Sequence, residues 1–394
     1  MKILFITHRI PYPPNKGEKV RAFNIIRHIS AHHDVYLASL YDDNNDSQYM
    51  SELKKFCREV YLFRLNPSIA KVKAALCLLL GIPATVGYFN SRKMKIKIDK
   101  LLASQKFNLI FAYSSSMAQY VMDADIPKIM DFVDCDSAKW DQYSKTARFP
   151  SSFVYAREHE LLKKYEKEIA EKFNKQLVVT EAEKKEFSAF TPVDRFKVLT
   201  NGVDTGFFKV SQQDAGKRLI FTGAMDYFAN IDGVAYFCKE IFPLVKKAHP
   251  DVEFYIVGYR PTTAVRALAG IEGVTVTGSV TDVREYLDKA SVCVVPLRIA
   301  QGVQNKILEA MASGLPVVAT SKVLPGLNAK PDRDLLVADE PADFAKKVIM
   351  LLENMSLRKE MGTSARKYVE ENHNWDKNLG KLDDVLKELS GGAS

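Results

Sequence analysis

Short, largely apolar runs alternate along the chain with longer stretches whose apolar residues recur every three or four positions. KILFI (2–6), VYLASL (35–40), YLFRL (61–65), NLIFAY (108–113), QLVVT (176–180) and FKVLT (196–200) are runs of the first kind. Their β-branched and aromatic content and their length fit buried strands. KVRAFNIIRHISAHH and SSFVYAREHELLKKYEKEIAEKF are stretches of the second kind and predict amphipathic helices. After the polar linker SQQDAGK the alternation restarts with RLIFTG (218–223), VEFYIVG (252–258), VTVTG (274–278) and VCVVPL (292–297). Strand and helix signals in strict alternation predict an α/β protein with two doubly wound, parallel-sheet, Rossmann-like domains. Ligands of such sheets bind beyond the carboxyl ends of the strands.

Arg298 to Thr320, RIAQGVQNKILEAMASGLPVVAT, carries the most chemistry. A loop containing Gly302 runs into a helix from about Gln304 that buries Ile307, Leu308, Ala310 and Met311. Gly314 ends it, and Pro316–Ala319 forms the next strand. Unpaired N–H groups and the helix dipole make such a tip an anion site, and Lys306 adds a full charge in the first turn. Glu309 follows Lys306 by three residues and Asn305 by four, so the three share a face. Gly302 to Glu309 spans roughly 10 Å at ~1.5 Å per residue, about a diphosphate plus a ribose. This predicts phosphate at the helix start, near Gly302, Val303, Gln304 and Asn305, with the Glu309 carboxylate accepting hydrogen bonds from ribose hydroxyls.

NKILEAMASGLPVVAT resembles the sugar-nucleotide motif of retaining glycosyltransferases of family four, which have the GT-B fold, and the resemblance extends over almost the whole chain. It implies two domains facing a cleft: an acceptor-binding domain over 1–205, a nucleotide-sugar-binding domain over 206–373, and a last helix, 374–394, that packs back onto the first. The family's donor-sugar Glu corresponds to Gln301, and its ribose Glu to Glu309. The family's Arg and Lys that neutralise the diphosphate correspond to Ala224, directly after Gly223, and Asn230. The charge must then come from Lys306 and the helix dipole, with Arg21 or Arg298 as further sources. GSVTD (278–282) matches the loop whose backbone reads the nucleobase, with Val280 as the contact. NGVD (201–204) matches the cleft floor, where Asn201 and Gly202 are expected in left-handed geometry. Gly17 stands at a helix start after the first strand, one turn before Arg21, and matches a glycine loop that contacts the donor.

Strand ends in the first half supply further candidates. MDFVDCDSAKW places Asp131, Asp134 and Asp136 at one strand end. Asp134 is the expected acceptor-side carboxylate, able to bind hydroxyls or assist proton removal. The Asp-x-Asp at 134–136 lies far from the donor motif and is not read as a metal site. No metal or cofactor is expected apart from the donor substrate. The family's histidine beside the transferred sugar has no counterpart at Tyr113-Ser114-Ser115-Ser116.

Composition narrows the class. Five scattered cysteines without a CxxC pair argue against a zinc site or disulfide framework and for a reducing compartment. MKILFITHRI enters a strand directly, so the chain is expected in the cytoplasm, with the inner face of the membrane as an alternative location. A net charge of +8 favours anionic partners. No nucleic-acid signature or G-x-G-x-x-G after the first strand is present. Residues 68–102 join an apolar middle to Lys71, Lys73, Arg92, Lys93, Lys95 and Lys97. They read either as a core helix with solvated lysines or as a surface helix dipping into a membrane near a lipid-linked acceptor.

The expectation is a metal-independent retaining transferase that moves a sugar from a UDP- or GDP-sugar to a glycan or lipid-linked acceptor. The resemblance points to exopolysaccharide or cell-surface glycan synthesis. The alternatives are a sugar-nucleotide 2-epimerase and a non-catalytic sugar-nucleotide-binding subunit.

Overall fold

A computed structural model describes residues 1–14, 17–210, 216–300 and 302–390. Gln301, the expected sugar contact, lies outside the described residues. The chain divides into two compact units, Met1–Leu199 with Leu379–Ser394, and Thr200–Asn378. The division falls at Leu199 rather than 205 because the NGV segment is tied to the second unit. His373 Nδ1 lies 2.9 Å from the Asn201 carbonyl, and the Val203 N–H donates to the His373 carbonyl at 2.8 Å. Trp375–Asn378 likewise stay with the second unit, so the last segment joins the first at Leu379 rather than 374.

The first unit holds β1 (Lys2–Thr7), β2 (Asp34–Tyr41), β3 (Glu59–Arg64), β4 (Leu109–Tyr113), β5 (Lys128–Asp131), β6 (Lys175–Val178) and β7 (Phe196–Val198). Their order is β3-β2-β1-β4-β5-β6-β7, and every pairing is parallel. The middle of this sheet is apolar on both faces, with Phe5 stacked on Phe111 at 4.8 Å. The second unit holds β8 (Arg218–Thr222), β9 (Glu253–Val257), β10 (Val274–Gly278), β11 (Val292–Val295), β12 (Val317–Ala319) and β13 (Leu336–Val337). Their order is β10-β9-β8-β11-β12-β13, again parallel throughout. β13 is absent from the sequence expectation because two residues show no periodicity. Both sheets reverse their winding direction once, between β1 and β4 and between β8 and β11, which are the positions where doubly wound sheets open a crevice.

The segment 68–102 forms three helices, Pro67–Leu79, Ala84–Tyr88 and Arg92–Ser104. The core-helix reading fails for the first of them: of its thirteen residues only Ala70 is buried. The helix Trp375–Ser390 covers the first unit with Leu379, Leu382, Val385 and Leu386, and pairs Asp383 with His28 at 2.9 Å and Glu388 with Lys175.

Candidate donor and acceptor sites

In the second unit, β8 is followed by Gly223, and β11 by the Gly302 loop and the helix Asn305–Ala312. The helix forms because Ile307, Leu308, Ala310 and Met311 turn one face into the core, and it stops at Gly314, whose φ is +73°. Gln304 is its N-cap; its carbonyl accepts from the Ile307 N–H at 2.9 Å, and its side chain does not cap the helix. Lys306 is half-buried. Its Nζ donates to Asn230 Oδ1 at 2.6 Å and sits 4.8 Å from the centre of the Phe221 ring. Asn230 is held in turn through Nδ2, which donates to the Ala224 carbonyl at 2.8 Å. The residue that stands where the resemblance expects a lysine therefore orients the lysine that remains. Burial lowers the Lys306 pKa to about 8 and raises that of Glu309 to about 7, each offset in part by the other's charge. Among the described residues the Glu309 carboxylate accepts no hydrogen bond. A half-buried carboxylate without a donor, one helical turn from a desolvated ammonium, is suited to receive hydroxyls and anionic oxygens from a ligand.

Backbone contacts brace the loops. A Cβ on Gly258 would stand 1.7 Å from the Gly223 carbonyl oxygen, and one on Gly326 would stand 2.0 Å from that of Gly302. Neither Gly258 nor Gly326 is singled out by sequence. The signal was an isolated glycine after β9 and another past β12, each waiting for a partner that only the fold supplies. Asn201 is buried and its Nδ2 donates to Asn305 Oδ1 at 3.4 Å, so the NGVD turn does reach the helix tip. The expected left-handed geometry is absent at Asn201 and Gly202. Gly202 is required instead by Trp375, which a Cβ there would meet at 2.7 Å. Val280 follows Gly278 at the carboxyl end of β10 and packs half-buried on the core.

Two expected cations are committed elsewhere. Arg21 is 0% exposed; its Nε donates to Asp131 Oδ2 at 2.9 Å and its Nη1 to the Leu199 carbonyl at 2.6 Å. It is held in an internal ion pair. Gly17 does begin the helix Gly17–Ser30, but the residue beside it is the acidic Glu18. Arg298 grips Asp232 through Nε (2.9 Å) and Nη2, and lies over the Tyr236 ring.

In the first unit a cavity of about 410 Å³ opens where β1 and β4 end, lined among others by His8, Tyr88, Phe89, Asp136, Lys139 and Trp140. Asp134, the expected carboxylate, is not in its wall. Asp136 is, accepting from Ser115 Oγ at 3.1 Å and lying 3.3 Å from Lys139 Nζ. Between Asp131 and Asp134 the backbone bends at Val133, whose φ of +69° is rare for a β-branched residue. Asp134 is half-buried, and desolvation together with Asp136 and Glu18 raises its pKa against the pull of Lys139 and Arg21. The sequence does not single out His8; its signal is a histidine directly after the first strand. Its ring lies parallel to Tyr113 at 6.1 Å, burial lowers its pKa to about 4, and its buried Nδ1 has no partner. Ser114, at the end of β4, also has a positive φ of 78°. A second cavity, about 460 Å³, lies at the amino end of β8 beside Arg218, Tyr255 and Lys289, away from the strand ends that carry these loops. Among the described residues no group of three metal-ligating side chains converges.

Residues 216–354 match the family described as glycosyl transferases group 1. The whole chain is similar to an uncharacterised 44.6 kDa protein in the cps region of Klebsiella pneumoniae, 22% identical over 387 residues, covering 94% of this chain and 96% of that one. Among solved structures it resembles sucrose-phosphate synthase from Thermosynechococcus elongatus, with a TM-score of 0.74, 16% identity and complete coverage of both chains. It also resembles Anabaena HepE in complex with UDP and glucose, with a TM-score of 0.70, 15% identity, and 98% and 100% coverage. The architecture is GT-B.

Proposed function

We propose that the protein is a retaining glycosyltransferase that passes a sugar from a nucleoside-diphosphate donor, UDP- or GDP-linked, to a hydroxyl of a glycan or lipid-linked glycan. The synthesis of an exported or cell-surface polysaccharide is the setting we propose. The observation that carries this reading is the Lys306–Asn230 pair and the unsatisfied Glu309 carboxylate at the tip of the helix Asn305–Ala312. The match of residues 216–354 to group 1 glycosyl transferases supports it, as do HepE's complex with UDP and glucose and the cps-region relative.

The diphosphate lies on the first-turn N–H groups, with Gly302, Val303, Gln304 and Asn305 supplying backbone and Lys306 supplying charge. Ribose hydroxyls donate to Glu309, the nucleobase meets the backbone at Val280, and Gln301 is the proposed sugar contact. In transfer, the acceptor oxygen bonds the anomeric carbon as the bond from that carbon to the β-phosphate oxygen breaks. The acceptor proton goes to that departing oxygen on the same face, which gives retention. The dipole and Lys306 stabilise the charge that develops on the diphosphate, so we read the reaction as metal-independent. The cavity at His8 is the proposed acceptor site. Trp140 offers a ring for a sugar face, and the neutral His8 imidazole and Asp136 offer hydrogen bonds to hydroxyls.

Calorimetry with UDP and GDP tests the donor site, and absence of binding by both would end the reading. Incubation with UDP- and GDP-sugars and glycan-lipid acceptors, followed by NMR of the product anomer, tests transfer and retention. A C2 epimer formed from donor alone would replace transfer with epimerisation, and binding without turnover would leave a sugar-nucleotide-binding subunit.

A further inference from the structure

The helix Pro67–Leu79 is turned inside out. Ile69, Val72, Leu76 and Leu79 recur at intervals of three and four, so at ~100° per residue they form one stripe under about 90° wide. A stripe of this kind is ordinarily the face a helix buries. Here it faces outward. Leu79 is 82% exposed and Leu80, just past the helix end, 78%, and Ile69, Val72, Leu76 and Ile82 are exposed as well. The helix touches the protein through its small residues. Ala70 is its buried residue, and Cys77 packs so closely on Gly87 that a Cβ there would meet it at 2.7 Å. The arrangement is braced from below: Glu158 accepts from the N–H groups of Ala84 (2.5 Å) and Thr85 (2.8 Å), and Gly81 lies beside Arg157. One turn before Arg157 and Glu158 on the helix Ser151–Lys172 stand Phe153, 70% exposed, and Val154, preceded by Phe149, 84% exposed. Two elements far apart in sequence thus present large apolar side chains outward on the same side of the first unit.

Charge selects what covers them. Residues 65–98 contain Lys71, Lys73, Arg92, Lys93, Lys95 and Lys97 and no acidic residue. Lys71 and Lys73 flank the stripe on opposite sides and are both exposed, Lys73 with its Nζ 3.3 Å from the Asn90 carbonyl, and their stems can lie along the stripe. A second copy of this chain meeting the patch would bring like charges together. An anionic bilayer would take the apolar side chains at its acyl boundary and the lysines at its headgroups. Among the described residues no helix is long and apolar enough to cross a membrane, so this would be contact in the plane of the surface. The same helix supplies Ala74 to the wall of the His8 cavity, so its inner side borders the proposed acceptor site while its outer side carries the stripe.

We infer that the outward stripe of Pro67–Leu79 together with Phe149, Phe153 and Val154 docks on an anionic membrane surface, and that the acceptor reaching the His8 cavity is lipid-linked and presented from that surface. The second half of this statement rests on the transferase reading; the docking itself does not. The test is co-sedimentation of the full chain with phosphatidylcholine vesicles containing roughly 30% phosphatidylglycerol, against phosphatidylcholine alone. The expected result is partition at least about tenfold stronger on the anionic vesicles, falling about tenfold or more in Leu79→Glu/Leu80→Glu and in Lys71→Glu/Lys73→Glu, and weakened by salt. The altered side chains are exposed, so melting temperature and UDP affinity should match those of the unaltered protein. Equal sedimentation of unaltered and altered proteins would overturn the inference, as would a dimer that Leu79→Glu/Leu80→Glu disperses. A protein that binds these vesicles but not UDP would leave the docking standing and remove the transferase reading.

Discussion

The two units share a winding pattern and use it in different ways. Each sheet reverses once, and each reversal carries a candidate site, but the second unit builds its site from backbone and the first from side chains. At β8 and β11 the groups presented are N–H donors on glycine loops, and the polar side chains that matter, Asn230, Lys306 and Glu309, are few and mutually oriented. At β1 and β4 the wall is aromatic and charged, with His8, Tyr88, Phe89, Asp136, Lys139 and Trp140 around a cavity. Diphosphates are alike from one donor to another, and backbone amides read them without regard to side-chain fashion. Hydroxyl-rich acceptors differ in shape, and only side chains can follow that variety.

The largest effect expected on this contrast comes from the buried pair in the first unit. Arg21→Ala leaves Asp131 as an uncompensated buried charge and should destabilise that unit by ~3–5 kcal/mol while leaving UDP affinity unchanged. A urea titration and calorimetry read the two quantities, and a selective loss of UDP affinity would return Arg21 to the donor site. In the second unit, Lys306→Ala should weaken UDP binding by ~1.5–3 kcal/mol, and an unchanged calorimetric affinity would remove the phosphate role. Gly258→Ala forces a methyl into the Gly223 carbonyl and should lower stability by ~1–3 kcal/mol, seen as a shifted urea midpoint.

Smaller changes separate the groups within the donor site. Free Lys306 loses its proton as pH rises through about 8, whereas a bound diphosphate holds the proton on. Affinity for UDP should therefore decline above that pH. Glu309 takes up a proton as pH falls through about 7, which weakens its acceptance from ribose below that value. The two together give a maximum between about 7 and 8, and Lys306→Arg should abolish the alkaline decline, both measurable by calorimetric titration across pH. Glu309→Gln should weaken UDP by ~0.5–1.5 kcal/mol and inorganic pyrophosphate hardly at all. An equal loss for both ligands would count against the ribose contact.

The same contrast explains what was legible in the sequence. The proposed donor helix is one contiguous segment, and its apolar period, glycine ends, lysine and glutamate are all visible between 302 and 314. The strands were visible as apolar runs, except β13, which is too short. The proposed acceptor side is assembled from residues far apart, His8 with Asp136 and Tyr88, and no local pattern joins them. The pairing of Arg21 is hidden for a related reason: its partner Asp131 is 110 residues away, so the sequence shows an arginine near a glycine loop and not a closed pair. Asn230 looked like a lost charge because its service to Lys306, 76 residues on, exists only in three dimensions.

The order of segments has a consequence for biogenesis. Leu379–Ser390 belongs to the unit that begins at Met1, so the first unit's sequence is interrupted by the second. While the chain is being made, β1 to β7 leave the ribosome early, but the places of Leu382, Val385 and Leu386 stay bare until translation has passed through all of the other unit. The earlier-made sheet thus waits, partly uncovered, for the last helix, and that interval is when a nascent-chain chaperone would find apolar surface to hold.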